Sequence, residues 1–286
     1  MGIVDVRRGL ATLLCAGLSS APALAGDEPP ATAVRPVTDS YFGTAVVDPY
    51  RYLENLKDPE VQAWMTAQST HTRGVLDRIP GRAALLERIH ALSNDATRRR
   101  GFVRRGQRYF YELIEPGAEQ PKLFYRDGLA GEEHLLLDPA TLGRDAATHY
   151  AIDYFSPSWD GRRVAYGVSK GGSEASVLHV LDVASGKPLA EAIARAHDST
   201  VTWRADNASF YYFKFDPVRP DTPPSESEYN ARTYLHVLGH GVDGEADAAV
   251  FGRNVSGLGV PEGQITYVVG SPQSRWAVAV ANHNAD

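Results

Sequence analysis

Residues 167–172 read GVSKGG and fit the pattern G-x-S-x-G, which in α/β-hydrolases presents a nucleophilic serine on a tight strand-to-helix turn. Ser169 is therefore the first candidate catalytic residue of the chain. A nucleophile of this kind needs a strand before it and a helix after it, whose N-terminus helps to stabilise the oxyanion. It also needs an acid and a histidine that can relay the proton of the serine.

The residues that follow Ser169 predict a strand and not a helix. In SEASVLHVLDV, apolar side chains alternate, with Val177 and Leu181 on one face and Leu178 and Val180 on the other. The stretch DVASGKPL then has the composition of a turn. We therefore predict that GVSKGG is a glycine-rich turn between two strands and that the chain contains no catalytic residue. An independent esterase built on Ser169 is the disfavoured alternative.

Other residue types that could carry chemistry lack the required spacing. The histidines after Ser169 do not fall in strand-to-helix loops: His179, His197, His236, His240 and His283. HVLGH at 236–240 has the histidine spacing of a zincin but not its glutamate, and DGEAD at 243–247 lacks the spacing of a calcium loop. We expect a solvated turn at 243–247. No phosphate-binding or dinucleotide motif is present, so we predict neither a metal nor a cofactor.

Composition and charge narrow the class of partner. The chain has 286 residues, of which 43% are hydrophobic and 22% charged, with a formal net charge of -6 that argues against nucleic acid. A basic cluster stands out, which we expect in a solvated loop: Arg98, Arg99, Arg100, Arg104 and Arg105. Four tryptophans are expected to pack in the core or between repeated units: Trp64, Trp159, Trp203 and Trp276.

The N-terminus has the pattern of a secretory signal peptide. Arg7 and Arg8 precede a short apolar run at 10–18, and ALA at 23–25 fits the cleavage site. We expect residues 1–25 to be removed and the protein to be periplasmic or secreted. Cys15 lies in this segment after Leu14, which does not suit lipid attachment. No later run approaches the roughly 18 apolar residues of a membrane span, so no membrane partner is expected.

The rest of the chain divides into a helical part at 26–93 and a strand-rich part at 94–286. A proline-rich arm precedes Asp58 and Pro59, which predict the start of a helix that runs to about residue 76. A second helix is predicted from 82 to about 92, with one apolar face formed by Leu85, Leu86, Ile89 and Leu92. From Phe102 onward, alternating aromatic and apolar residues predict strands.

The strand-rich part repeats one pattern, in which a strand ends, a polar turn follows and an alternating strand begins. It occurs in FSPSWDGRRVAYGVS, VTWRADNASFYYFKF and VVGSPQSRWAVAVAN, and more loosely in VRRGQRYFYELIE. Intervals of roughly 45–70 residues suit propeller blades of four strands each. DPVRPDTPPSESEY at 216–229 is predicted to be a surface loop. The expected fold is mainly β, an incomplete propeller of about three to four blades after a helical segment.

Four stretches, in order, resemble the prolyl oligopeptidase family of serine peptidases. DPYRYLENLKDPEVQAWMTAQ resembles the D-P-Y-x-W-L-E segment that leads into their first helix, with Tyr52 where tryptophan is usual. RRGQRYFYELIEPGAEQPKLFYRDGLAGEEHLLLDPATL and DYFSPSWDGRRVAYGVSKGGSEASVLHVLDVASGKPL resemble successive blades. YLHVLG at 234–239 resembles a further blade strand. The resemblance therefore runs from about residue 48 to the last residue.

The resemblance implies a serine peptidase in which a seven-bladed propeller caps an α/β-hydrolase domain and short peptides are cleaved after proline. The family's nucleophile lies in a G-G-S-N-G-G motif of the C-terminal domain, which GVSKGG imitates only in its letters. We expect this chain to be the N-terminal propeller part, without the hydrolase domain and inactive alone. Its implied partners are that domain and short proline-containing peptides. A non-enzymatic propeller that binds a partner in the cell envelope is the alternative.

Overall fold

The computed structural model describes residues 28–93, 96–143, 148–223, 227–255 and 257–283. The predicted signal peptide at 1–25, including Cys15, lies outside these residues. The chain forms two compact units, one extending to Leu92 and one beginning at Ser93. Neither helix in the described part is both long and apolar enough to span a membrane.

The first unit contains a hairpin and two helices. Strands β1 (Val37–Tyr41) and β2 (Thr44–Asp48) pair antiparallel within what the sequence predicts as an extended arm. The two-residue connection explains the difference, because Phe42 and Gly43 both have the positive φ angles, 51° and 82°, that suit a tight hairpin. A short 3-10 helix follows at Arg51–Glu54.

Helix α1 (Pro59–Asp77) begins as predicted, because the Asp58 side chain accepts a hydrogen bond of 2.8 Å from the backbone N–H of Glu60. Helix α2 spans Arg82–Ser93 and ends within a residue of its predicted boundary. Its apolar residues are exposed on the surface: Leu85, Leu86, Ile89 and Leu92. In the two helices, Val61 is the buried residue.

The described residues of the second unit form three four-stranded antiparallel sheets and one further hairpin. The first blade is β3 (Arg98–Arg105), β4 (Arg108–Ile114), β5 (Lys122–Asp127) and β6 (His134–Leu137). The second blade is β7 (Tyr150–Pro157), β8 (Arg163–Lys170), β9 (Val177–Asp182) and β10 (Lys187–Ile193). The third blade is β11 (Thr202–Trp203), β12 (Ser209–Phe215), β13 (Ala231–Val237) and β14 (Ala248–Gly252). The hairpin is β15 (Gln264–Gly270) and β16 (Ala277–His283).

The sheets are arranged as blades of an open, partial propeller, which confirms the expected fold class. The first strands of successive sheets (β3, β7, β11 and β15) contact one another in sequence order. Apolar side chains fill the space between neighbouring sheets. Phe110 and Leu123 of the first blade meet Val164 of the second, and Phe213 of the third meets Tyr267 of the hairpin.

The basic cluster is a strand and not the solvated loop that its charge suggested. Arg98 already belongs to β3, where it lies opposite Ile114 of β4. Arg99 forms an ion pair of 2.7 Å with Glu133, and Arg100 one of 2.6 Å with Glu112. The charges are therefore accommodated because carboxylates of the same blade, Glu112 in β4 and Glu133 just before β6, lie within reach, while the backbone pairs as a strand.

Candidate functional site

Ser169 lies inside the second blade, in strand β8 and not in the turn. It is opposite Ala151 of β7, and its residue is 1% exposed. The chain then turns through Gly171 and Gly172, whose φ angles of 62° and 69° are left-handed, and enters β9. The hairpin expected from the sequence is confirmed. The position expected for Ser169 was wrong, because the β7–β8 ladder continues to Lys170.

The hydroxyl of Ser169 is hydrogen-bonded to a carboxylate. Its Oγ donates a hydrogen bond of 2.9 Å to Oδ1 of Asp153, and the Ser176 Oγ donates one of 2.6 Å to Oδ2 of the same side chain. Asp153 lies at the irregularity of β7 between Ile152 and Tyr154. These three residues, Asp153, Ser169 and Ser176, form the serine cluster. It ties the β8–β9 hairpin to the first strand of the blade.

The serine cluster lacks the parts of a hydrolase site among the described residues. None of the hydrogen-bond partners of Ser169 in that part of the chain is a histidine, so no imidazole can take its proton. Strand β9 follows the turn, so no helix N-terminus points at the serine. The serine cluster therefore supports the fold, and it has no arrangement that would activate the hydroxyl.

Two of the histidines after Ser169 have partners elsewhere in the chain. The Nδ1 of His179 lies 2.9 Å from the carbonyl oxygen of Glu191, and burial lowers the pKa of this histidine. The Nδ1 of His197 lies 2.8 Å from Oε1 of Glu228. His283 is the last residue of β16.

HVLGH does not bring its two histidines into one site. His236 lies in β13 and is fully buried, whereas His240 lies beyond the end of that strand. Within the described ranges, no three histidine, cysteine or acidic side chains come together in a geometry that could hold a metal ion.

The segment at 243–247 is not the uniformly solvated turn that the sequence predicted. The Asp247 side chain is 4% exposed and accepts hydrogen bonds from the Tyr212 hydroxyl at 2.8 Å and from His236 Nδ1 at 3.0 Å. Burial, followed by the charge of Asp247, raises the pKa of Tyr212 and keeps its hydroxyl a donor. Sequence reasoning missed Asp247 because its burial depends on the packing of β12 and β13 beneath the turn.

Some of the tryptophan side chains are packed between blades, whereas one is exposed. Trp203 is buried and donates from Nε1 to the carbonyl of Ser156 at 2.9 Å, while Trp159 donates to the carbonyl of Trp203 at 2.7 Å. These bonds join the second and third blades, as expected for packing between units. Trp276 is 71% exposed, so the prediction was wrong for this residue. It lines an open cleft of about 420 Å³ beside Trp203 and Tyr211.

Comparison with known proteins supplies the family. Residues 29–257 match the family model of the prolyl oligopeptidase N-terminal beta-propeller domain. A prolyl endopeptidase of Elizabethkingia meningoseptica is 30% identical over 202 residues, which cover 71% of this chain and 28% of the relative. Prolyl oligopeptidase A of Galerina marginata is 28% identical over 222 residues, covering 68% of this chain and 29% of the relative. The chain thus spans less than a third of these relatives.

Solved structures agree with this match. A structure from a study of two prolyl endopeptidases has 31% sequence identity and a TM-score of 0.73, covering 89% of this chain and 36% of its own. Prolyl oligopeptidase B of Galerina marginata shares the fold at 21% identity and a TM-score of 0.69. The match covers 90% of this chain and 38% of that protein. The matched family model spans most of the chain, including the helical unit and all three complete blades. The chain therefore belongs to the prolyl oligopeptidase family and corresponds to its N-terminal β-propeller domain.

Proposed function

We propose that this chain is the N-terminal propeller part of a prolyl oligopeptidase, a serine endopeptidase that hydrolyses short peptides after proline. The match of residues 29–257 to the family's propeller domain carries this proposal. The buried hydroxyl of Ser169 supports it, because this candidate nucleophile is bonded to Asp153 and not to a histidine of the described residues. In the complete enzyme, a serine of the hydrolase domain attacks the peptide carbonyl, a histidine relays the proton and backbone N–H groups hold the oxyanion.

In this proposal the blades contribute shape and not chemistry. The hydrolase domain is the partner that supplies the catalytic residues, and the short proline-containing peptide is the substrate. The propeller restricts which peptides reach the catalytic serine. The chain alone then has no peptidase activity, since it provides no histidine for Ser169 within the described ranges.

A hydrolysis assay tests this proposal. The purified chain and its Ser169→Ala variant are incubated with a chromogenic Gly-Pro substrate, with the Elizabethkingia meningoseptica prolyl endopeptidase as the positive control. We expect no turnover above buffer from either form of the chain. Turnover by the chain that Ser169→Ala abolishes would overturn the proposal.

A second test reads the DNA downstream of codon 286. An open frame that encodes G-G-S-x-G-G would support the proposal that the chain works with a hydrolase domain. An in-frame stop with no such motif beyond it would instead favour the envelope binding module.

We also propose that residues 1–25 direct export to the periplasm or the medium. The basic start, the short apolar run and the ALA site support this proposal. Fractionation of expressing cells, followed by the intact mass of the recovered chain, tests it. A mature chain that begins at Gly26 is expected, whereas an uncleaved cytoplasmic chain would contradict it.

A further inference from the structure

A buried polar cluster crosses the seam between the second and third blades. It consists of Glu191 from β10, Tyr212 from β12, His236 from β13 and Asp247 from the turn before β14, and we call it the seam cluster. The side chains of His236 and Glu191 are 0% and 2% exposed. Four polar side chains thus lie in the otherwise apolar contact between two blades.

The hydrogen bonds of the seam cluster assign one proton of His236. Asp247 receives the Tyr212 hydroxyl at 2.8 Å and lies 3.0 Å from Nδ1 of His236. A carboxylate accepts and does not donate, so Nδ1 carries a hydrogen. The second ring nitrogen, Nε2, lies 3.9 Å from Oε1 of Glu191, an oxygen that already accepts from the backbone N–H of Gly239 at 2.9 Å.

Two atoms of the seam cluster have no hydrogen-bond partner among the residues that the structure describes. They are Nε2 of His236 and Oε2 of Glu191, and both are buried. If the imidazole of His236 were neutral with its hydrogen on Nδ1, the lone pair of Nε2 would face the carboxylate of Glu191, which is also electron-rich. Two buried carboxylates would then also share this space without a counter-charge, which is costly where water is excluded.

In the described part of the chain, the groups that neighbour the seam cluster do not supply that counter-charge. Lys214 of β12 donates to the carbonyl of Gly244 at 2.8 Å and lies 3.4 Å from the carboxylate of Glu245. Its ammonium also lies over the ring of Tyr234 from β13. The ring of Phe210 packs on His236 with centroids 5.0 Å apart and carries no charge. Asp243 and His240 lie at the surface.

We propose that His236 is an imidazolium that bridges Asp247 and Glu191 and so holds the second blade to the third. The inference does not depend on the peptidase proposal. The folded chain then binds one proton that the unfolded chain releases above roughly pH 6.5, where a free histidine becomes neutral. Stability therefore falls as the pH rises, because the folded state binds more protons than the unfolded state.

Denaturant unfolding of the chain between pH 6.5 and 9 tests this inference, with Glu191→Gln as the key variant. The variant keeps an acceptor for the Gly239 N–H and can place an amide N–H₂ against Nε2, so that a neutral histidine is satisfied. In the wild-type chain we expect the folding equilibrium constant to fall by up to tenfold per pH unit relative to the variant. Glu245→Gln, at an exposed carboxylate nearby, is the matched control and should keep the wild-type slope.

Equal pH slopes for the wild-type chain and Glu191→Gln would overturn the inference. Nitrogen NMR of the wild-type imidazole provides a second test that does not depend on the folding of a variant. At pH 7 we expect hydrogens on both ring nitrogens of His236. A hydrogen-free Nε2 would show that the histidine is neutral and would also overturn the inference.

Discussion

The serine cluster and the seam cluster use the residue types of a catalytic triad, but each serves a different structural purpose. The serine cluster lies within one blade and matches two hydroxyl donors to the two oxygens of Asp153. The seam cluster joins two blades, and two of its buried atoms have no partner within the described ranges. Serine, histidine and aspartate are thus all present, but Ser169 is paired with one acid and His236 with another. Residue types therefore carry chemistry only when the fold brings them together in one site.

The largest expected effect is at Asp247. In Asp247→Ala, the buried Tyr212 hydroxyl and Nδ1 of His236 lose their acceptor. We expect the free energy of unfolding to fall by about 3–5 kcal/mol, because a buried charge loses its partner. Urea unfolding at pH 7 measures it, with Asp243→Ala at the exposed start of the same turn as the control. A loss no greater than that of the control would show that the seam cluster contributes little.

A smaller effect is expected at the serine cluster. Asp153→Ala removes the acceptor of the Ser169 hydroxyl and the shorter of the two hydrogen bonds of the Ser176 hydroxyl, which keeps the carbonyl of Glu174 at 3.2 Å. This should cost about 2 kcal/mol of unfolding free energy. Replacing both serines by alanine in that background should recover part of the loss, since unmatched donors are then removed. Urea unfolding of the single and triple variants measures this recovery. A triple variant less stable than Asp153→Ala would contradict the matched pairing described above.

The smallest effect is expected at Glu133, whose pH dependence has the sign opposite to that of the seam cluster. The hydrogen bond from Arg99, followed by that from the Tyr111 hydroxyl, lowers the pKa of Glu133 to about 2. Because this pKa is lower in the folded chain than in the unfolded chain, Glu133 stabilises the folded state at pH values above its unfolded pKa of roughly 4.3. This contribution is lost as the pH falls toward 2. We expect the free energy of unfolding of Glu133→Gln to change less with pH over that interval than that of the wild-type chain. The difference should be modest because the ion pair is partly exposed. An unchanged acid slope would contradict this assignment.

Much of the fold can be predicted from local sequence signals. Asp58 and Pro59 place the start of α1 because the N-cap and the first helical residue are set by adjacent residues. The repeated turn-and-strand pattern predicts the blades, because each blade is a local run of hairpins. The strand after Ser169 follows from alternation in the same way.

The remaining features depend on contacts that are distant in the sequence. The partner of Arg99 is Glu133, 34 residues later in the sequence. Asp247 is buried because β12 supplies Tyr212, 35 residues earlier. The Glu191 carboxylate of the second blade accepts a hydrogen bond from the backbone N–H of Gly239 in the third blade. Such pairings are set by how sheets pack on one another, so composition and periodicity do not reveal them.

The claim that Ser169 is a structural serine can be tested by its reactivity toward a fluorophosphonate probe that labels activated serines. Ser169 is 1% exposed and its hydroxyl is bonded to Asp153. We predict that the intact mass of the chain is unchanged under conditions in which the Elizabethkingia meningoseptica prolyl endopeptidase is fully labelled. A single adduct on the chain that disappears in Ser169→Ala would contradict the claim.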